Sequence, residues 1–409
     1  MLRGSSKLKI LIANIIYPTP QHPKIVGGAE RSVKNLAEAA VAAGHEVTVV
    51  RGLPPGLSPQ VEQVGGVKVV CCPIENRYWP FDGQPHSVLD KARWHLADDV
   101  GQYTSIVREE VEAFRPDVIH TNNLAGLSTA VWSMASTLGI GIVHTLRDYY
   151  LLCPKSTLFK KRDVCGSPCL DCRLFTQRRR ARTGLVDVVV GNSQKTLDLH
   201  LEQGLFPNAV WKGAIHNVSE RVLTTPPAAP ETLVRFGYIG RVTIDKGVEE
   251  LAEAYGQMRG AARLVIAGEA DPAIQARLQA LAGSKPIDFL GFVSPDAFYN
   301  QVDVVVAPSL WHEPLPRSIL EAFAYGRPAL GSTRGGIPEA LGTGGWLFDP
   351  SDTTSLLHML EHLSSSLDEV RKKALIAADL ANRFRPTEVI EKYLNVYERA
   401  RDNRAENRA

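Results

Sequence analysis

The chain has 409 residues, enough for two or three domains that each bury a hydrophobic core. Its hydrophobic content of 44%, charged content of 22% and net charge of +2 are ordinary for a globular protein and argue against a general nucleic-acid binder. No run of eighteen apolar residues predicts a membrane span, and the first residues lack a signal-peptide cleavage pattern, so we expect a cytoplasmic protein.

The first half of the chain alternates strand and helix patterns, which predicts a parallel sheet covered by helices. A strand at Leu8–Ile16, a loop that ends in Gly27 and Gly28, an amphipathic run to Ala43 and a strand at Glu46–Val50 form a first βαβ unit. Glycines at a helix start let backbone N–H groups approach an anion, although a plain turn is the simpler explanation of this pair.

Polar side chains follow two later strands of this half, which we predict at Asp117–His120 and Gly141–Thr145. Ligands of open parallel sheets bind at the carboxyl ends of the strands, so these side chains are candidates for contact with an acceptor substrate. For the histidines, a structural hydrogen-bonding role is the alternative. The candidates are His120, His144, Arg147 and Asp148.

The segment from residue 155 to 182 contains nine basic and two acidic residues, a net charge of +7. Such a run is either a solvated face or a surface for anionic lipid head groups or a lipid diphosphate, which would place the protein peripherally at the inner face of a membrane. An earlier aromatic stretch with Tyr78, Trp79, Phe81 and Trp94 predicts either local core packing or an acceptor- or membrane-facing surface.

Four of the six cysteines lie in or beside the same segment, with CxxxC and CxxC spacings close to those of zinc sites. A disulfide is disfavoured in the cytoplasm, so we consider a structural zinc ion or four reduced thiols. The four residues are Cys153, Cys165, Cys169 and Cys172.

A proline-rich stretch at residues 226–230 predicts the linker between two domains. We place the N-terminal domain at residues 1–225, with residues 153–182 as an insertion, and the C-terminal domain at residues 226–386.

The second half starts a new alternating pattern, in which two cations stand between a strand and a helix. Arg241 follows the strand Leu233–Ile239, and Lys246 precedes the helix Gly247–Met258. Cations beside a helix N-terminus, which itself attracts anions, suit a diphosphate better than they suit a solvated surface.

A second strand-to-helix junction follows the predicted strand Val302–Ala307. Pro314 and Pro316 exclude a helix interior before Arg317 but suit a first helical turn, so we predict a helix at Arg317–Tyr325. The backbone amides at its start, at Arg317 and Ser318, suit a phosphate.

Two carboxylates flank this helix start, Glu313 in the loop before it and Glu321 one turn inside it. Carboxylates are poor phosphate ligands but would suit hydroxyl groups on either side of a diphosphate, such as those of a ribose and a sugar. Ordinary ion pairs are the alternative.

These residues carry a family resemblance. Glu313 and Glu321, separated by seven residues and followed by Gly-Arg-Pro at 326–328 and Gly-Gly-Ile-Pro-Glu at 335–339, resemble the donor-site signature of retaining GT-B glycosyltransferases, closest to family GT4. The resemblance implies an α/β fold of the GT-B type, with two Rossmann-like domains facing an interdomain cleft. It also implies that the C-terminal helix, within residues 387–409, crosses back to the N-terminal domain.

The resemblance further implies roles for individual residues. Arg241 and Lys246 would contact the donor diphosphate with the Gly27-Gly28 loop facing it, Glu321 would hold the ribose, and Glu313 would hold the transferred sugar and act in catalysis. The segment with Gly291 and Phe292 would lie at the nucleobase, and Pro316, Arg317 and Ser318 would line the donor site. Two positions depart from the family pattern: Arg147 stands where a histidine often precedes the aspartate, and Pro316 stands where glycine is common.

We therefore expect a retaining glycosyltransferase that moves a sugar from a UDP- or GDP-sugar to a saccharide or lipid-linked acceptor in polysaccharide assembly. No cofactor would be required for catalysis. The alternatives are a nucleotide-sugar 2-epimerase on the same fold, which would turn over donor without an acceptor, and a non-catalytic nucleotide-sugar binding protein.

Overall fold

The computed structural model describes residues 7–23, 28–100, 105–219 and 232–406. Two of the sequence predictions, the linker at 226–230 and the role of Gly27, concern residues outside these ranges.

The chain folds into two compact units, and neither unit is a single continuous stretch of the sequence. The second unit includes a short piece from the middle of the chain, and the first unit includes the C-terminal end. The first unit comprises Met1–Leu158, Gly166–Val218 and Pro386–Ala409, and the second comprises Phe159–Cys165 and Ser219–Arg385.

Parallel strands make up the sheet of the first unit. Along the described chain the first ten strands are β1 (Lys9–Ala13), β2 (Glu46–Leu53), β3 (Gln60–Val64), β4 (Val67–Pro73), β5 (Val118–Thr121), β6 (Gly141–Leu146), β7 (Phe159–Lys160), β8 (Asp163–Val164), β9 (Val188–Gly191) and β10 (Trp211–Ala214). Eight of them form the sheet in the order β10-β9-β6-β5-β1-β2-β4-β3, with β3 antiparallel to β4. The other two, β7 and β8, pair as a short antiparallel ribbon in the second unit.

Helices connect these strands, as parallel pairing requires. Those before residue 219 are α1 (Ala29–Ala42), α2 (Val88–Val100), α3 (Ser105–Phe114), α4 (Ala130–Thr137), α5 (Leu170–Arg182) and α6 (Gln194–Leu201).

The second unit has a wholly parallel sheet of six described strands. They are β11 (Val234–Ile239), β12 (Ala262–Ala267), β13 (Ile287–Gly291), β14 (Val304–Ala307), β15 (Ala329–Ser332) and β16 (Gly345–Phe348). Their order is β13-β12-β11-β14-β15-β16, so the chain builds outward from β11 on one side and then returns to build on the other. Such a reversal opens a crevice at the carboxyl ends of the two central strands, where ligands of open α/β sheets bind.

The helices of this unit are α7 (Val248–Gln257), α8 (Pro272–Ala282), α9 (Pro295–Tyr299), α10 (Arg317–Ala324), α11 (Ile337–Leu341), α12 (Ser355–Ser365) and α13 (Leu367–Leu380). The predicted α/β fold of parallel sheets and helices is thus confirmed. None of the helices in the described ranges combines the length and the apolar character needed to cross a bilayer.

The last helix, α14 (Pro386–Glu406), is part of the first unit. Its buried residues, among them Val389, Tyr393 and Tyr397, belong to the same hydrophobic cluster as the buried residues of β1, β2 and α1. The helix packs on β6 closely enough that a Cβ on Gly141 would lie 2.7 Å from the carbonyl carbon of Ala400.

Gly141→Ala is therefore expected to lower the free energy of unfolding by about 1–3 kcal/mol, because the obstructing atoms are helix backbone and cannot rotate away. Urea unfolding of the variant measures the change. Gly166→Ala is the matched control, since a Cβ there would meet open space. Equal unfolding midpoints for both variants would contradict the close packing of α14 on β6.

Candidate functional site

Hydrogen bonds converge on one carboxylate oxygen in the loop after β14. The Oε2 atom of Glu313 accepts from Ser309 Oγ at 3.1 Å, from Trp311 Nε1 at 3.0 Å, and from the Lys246 ammonium. That ammonium also lies 5.1 Å from the centroid of the Trp311 ring. Both charged side chains are largely buried, so the carboxylate is fixed in one orientation.

The two loops that carry this pair are tied through their backbones. The amide of Leu310 donates to the carbonyl of Asp245 at 2.9 Å, which joins the loop after β14 to the loop after β11. Because β11 and β14 are neighbours at the reversal of strand order, Lys246 and Glu313 lie at the crevice where a ligand is expected.

A third loop holds the backbone of Glu313 from another direction. The amide of Gly336 donates to the carbonyl of Glu313 at 2.7 Å. Gly335 has a φ of +59°, and any side chain at that position would collide with the backbone of Glu313. The Gly-Gly motif therefore serves to position Glu313, a role for which a glycine is needed.

The second predicted carboxylate, Glu321, forms an ion pair with a residue one turn earlier on α10. Arg317 donates to its Oε1 from Nη2 at 2.6 Å, and the buried Tyr299 hydroxyl donates to its Oε2 at 3.0 Å. Burial raises the pKa of Tyr299 well above its ordinary value, and Glu321 raises it further, so the phenol remains a proton donor. Pro316 takes the position before the first residue of α10, as its fixed φ allows, and Ser318 lies in the first turn.

Arg241 lies in the same neighbourhood with its side chain exposed. The Tyr238 hydroxyl donates to its backbone carbonyl at 2.5 Å. Burial raises the pKa of Tyr238 most strongly, Glu313 and Asp245 add to that rise, and Arg241 opposes it. Arg241 thus accepts a hydrogen bond, through its backbone, from a buried phenol whose pKa Glu313 also raises.

The predicted nucleobase segment lies at the end of β13. Gly291 has a φ of +64°, and its carbonyl accepts from the amide of Gly268 at 2.8 Å. Phe292 follows with its ring almost fully exposed. A flat exposed ring is chemically suited to a base, since aromatic faces stack.

In the first unit, the two candidate histidines lie inside the protein. His120 is hydrogen-bonded to the Tyr397 hydroxyl of α14 at 2.8 Å and to Thr145 Oγ1 at 2.7 Å, and His144 is hydrogen-bonded to Thr121 Oγ1 at 2.9 Å. Burial holds the pKa of both far below the ordinary value, to about 3 for His144, so both rings are neutral at pH 7. These bonds fit the structural hydrogen-bonding role that was the alternative to contact with an acceptor.

The next candidates, Arg147 and Asp148, point to separate partners. Arg147 is buried and donates to the amide oxygens of Asn122 and Asn217, the former at 2.7 Å. Asp148 is half-buried and accepts from Asn123 Nδ2 at 2.6 Å, and burial raises its pKa. Gly28, from the Gly-Gly loop, precedes α1, and its carbonyl accepts from Ser32 Oγ at 3.1 Å.

The structure does not support the proposed zinc site. Cys153, Cys169 and Cys172 belong to the first unit and Cys165 to the second. The sulfur atoms of Cys169 and Cys172 are 3.5 Å apart, and burial, with the neighbouring Cys153 and Cys169, raises the pKa of the Cys172 thiol. Across the described ranges, no group of three or more histidine, cysteine or acidic residues is arranged to hold a metal ion.

Three contributors to the site were missed in the sequence. Ser309 and Trp311 bind Glu313, and Tyr299 binds Glu321. Ser309 and Trp311 could have been found, because polar and aromatic residues directly after a buried strand lie at its carboxyl end. Nothing in the sequence near α10 indicates Tyr299, which reaches Glu321 from α9.

Two family models together match most of the chain. One, described as Glycosyltransferase Family 4, matches residues 26–212, and the other, described as Glycosyl transferases group 1, matches residues 234–366. An uncharacterised 42.6 kDa protein from the cps region of Klebsiella pneumoniae is 32% identical over 397 residues, which cover 95% of this chain and all of that protein.

Solved structures share the fold over nearly the full length. Sucrose-phosphate synthase from Thermosynechococcus elongatus has a TM-score of 0.71 and 18% identity, with 96% of this chain and 98% of that chain covered. HepE of Anabaena, solved in complex with UDP and glucose, has a TM-score of 0.67 and 18% identity, with 96% and 99% covered.

The buried histidines of the first unit predict a loss of stability in mild acid. His95, His144 and His200 have pKa values of about 4, about 3 and about 4, because burial disfavours their charged forms. The unfolded chain takes up these protons below a pH of about 6.5, so the free energy of unfolding falls as the pH falls. Each histidine contributes about 1.4 kcal/mol per pH unit down to its folded pKa, while Asp148, with its raised pKa, opposes the fall.

His144→Asn, which can keep the bond to Thr121, should reduce the slope of unfolding free energy against pH between about 6 and 5 by about one proton. Urea unfolding at a series of pH values gives that slope. His358→Asn on the exposed surface of α12 is the control and should leave the slope unchanged. A wild-type slope in His144→Asn would show that this ring is not buried neutral.

Proposed function

We infer the function from the premise that this chain belongs to the group 1 glycosyl transferases of family 4, which have the GT-B fold. We propose that it transfers a sugar from a UDP- or GDP-sugar, with retention at the anomeric carbon, to a hydroxyl of a saccharide or lipid-linked saccharide in polysaccharide assembly. The second unit would bind the donor and the first the acceptor.

The observation that carries the proposal is the Lys246–Glu313 ion pair at the strand reversal of the second sheet, with Arg241 exposed in the same loop as Lys246. An open α/β sheet binds nucleotides at such a crevice. The HepE structure, which shares the fold, holds UDP and glucose, and this supports a nucleotide-sugar donor.

The balance of charge in this group favours a diphosphate. Lys246 is paired with Glu313, and Arg317 with Glu321, so within each pair the charges cancel. Arg241 and the amides at the start of α10 then supply the attraction for an anion. Donor oxygens that approach the paired ammonium would share its protons with Glu313.

The two carboxylates are oriented for hydroxyl recognition. Three donors from the protein share Oε2 of Glu313, and none of their bonds uses Oε1, so we assign this carboxylate to the transferred sugar. Glu321 is held through both oxygens, Oε1 by Arg317 and Oε2 by Tyr299, and we assign it to the ribose. A fixed acceptor discriminates for a hydroxyl because an analogue without that group leaves it unpaired.

In the reaction we propose, the bond between the anomeric carbon and the diphosphate oxygen breaks and a bond to the acceptor oxygen forms on the same face. The acceptor proton passes to the departing phosphate oxygen, so atoms and charge balance. Positive charge grows on the sugar ring and negative charge on the diphosphate, and Arg241, Lys246 and the α10 amides stabilise the latter.

Arg241→Ala should reduce turnover at least about a hundredfold, because it removes a cation from the developing negative charge. Lys246→Ala should do the same. The assay measures release of the nucleoside diphosphate, once with acceptor and once without it, and detects the glycosylated acceptor. Arg263→Ala, which removes an exposed arginine of β12 in the same unit, is the matched control and should keep wild-type turnover.

The folded state of each variant is checked by its unfolding midpoint, since Lys246→Ala also leaves Glu313 without its ammonium partner. Wild-type rates in Arg241→Ala would contradict the diphosphate assignment. Nucleotide release without acceptor at the same rate as with it would favour an epimerase or a hydrolase.

Glu321→Gln should weaken binding of the nucleoside diphosphate by about tenfold or more, because a ribose hydroxyl loses a charged acceptor. Calorimetric titration with UDP and GDP measures the dissociation constants. The corresponding 2′,3′-dideoxynucleotide should bind wild type and Glu321→Gln equally. A variant that loses as much affinity for the dideoxynucleotide as for the ribonucleotide would refute ribose recognition by Glu321.

A further inference from the structure

One surface helix of the first unit presents its apolar residues outward. On α2, Trp94 and Asp98 are buried, while Leu89, Leu96 and Val100 are each half exposed or more. These three residues follow a spacing that places them along one side of a helix. A helix of a globular protein normally buries its apolar side, so the exposed stripe indicates a surface that binds a partner.

A second helix extends the same kind of surface. On α5, which packs against α2 with the rings of His95 and Phe175 at 6.1 Å, Leu170 is 83% exposed and Leu174 is 64% exposed. The opposite side of α5 is buried through Cys172, Thr176 and Arg179. Each of the two packed helices thus exposes an apolar stripe, and we call the two stripes together the α2/α5 face.

Positive charge lies beside the apolar residues of this face. Among the described side chains that are exposed on the two helices, four are cations and one, Asp171, is a carboxylate. Other basic residues of the segment are occupied inside the protein: Arg179 is buried against Tyr150, and Arg180 donates to the carbonyl of Gln203 at 3.0 Å. The four exposed cations are Lys91, Arg93, Arg173 and Arg178. The three arginines each lie three or four positions from an exposed leucine and so share its side of the helix, whereas Lys91 lies on the opposite side of α2.

We propose that the α2/α5 face docks the protein on an anionic lipid bilayer. Leucine and valine side chains on adjacent helices would enter the boundary between head groups and acyl chains, and the three arginine side chains would pair with lipid phosphates. A second copy of this chain is a poorer occupant, because a two-fold interface would set these cations against one another. The docking uses no residue assigned to the donor, so it does not depend on the proposed function.

The test is co-sedimentation of the whole protein with vesicles of phosphatidylcholine alone and of phosphatidylcholine with about a third phosphatidylglycerol. Wild type should bind the anionic vesicles at least about tenfold more tightly, and salt should weaken that binding. The double variant Leu96→Glu/Leu174→Glu should lose at least about tenfold in affinity, because it removes apolar groups and adds charges that the lipids repel.

The matched control is Leu375→Glu/Ile376→Glu on α13, which adds the same charge at exposed apolar positions of the second unit and should bind vesicles like wild type. Unfolding midpoints and UDP binding verify that both variants are folded, and they separate this result from the donor assignment. Equal binding of the Leu96→Glu/Leu174→Glu variant and wild type, no preference for anionic vesicles, or a wild-type dimer that this variant converts to monomer would each overturn the proposal.

Discussion

The site of the second unit depends on the hydrogen bonds that converge on one oxygen of Glu313. A largely buried carboxylate is costly unless donors surround it, and Ser309, Trp311 and Lys246 supply them from two loops. The backbone bond between Leu310 and Asp245 fixes those loops to each other. The orientation of Glu313 therefore depends on the strand order of the sheet, because that order makes the two loops neighbours.

The same principle separates the polar residues of the first unit from those of the second. His120 and His144 are buried, neutral and bonded to hydroxyl groups of the framework, and Tyr397 of α14 holds one of them. Removing such a partner would leave a buried donor or acceptor unpaired, which costs about 1–3 kcal/mol. The C-terminal helix thus stabilises the polar interior of a sheet whose first strand is almost four hundred residues earlier in sequence.

Local sequence patterns were sufficient for features that depend on local physics. The helix start at Arg317 was predictable because proline limits where a helix begins, and alternating strand and helix patterns predicted the parallel sheets. The partners of the candidate residues were not predictable. His120 and Tyr397 are 277 positions apart, and Cys165 lies in a different unit from Cys153, so spacing along the chain contains no information about either relation.

Charge illustrates the difference between counting residues and knowing which of them face solvent. The basic segment reads as one cationic run, but Arg179 lies under the Tyr150 ring and Arg162 pairs with Glu249 in the second unit. The arginines of α5 that remain exposed lie on the same helix as its exposed leucines, and α5 packs against α2, a helix distant in sequence. An electrostatic attraction to phosphate and an apolar surface reinforce each other only when they lie on one face. The fold, by packing α2 on α5, brings near each other two exposed apolar stripes that are distant in sequence.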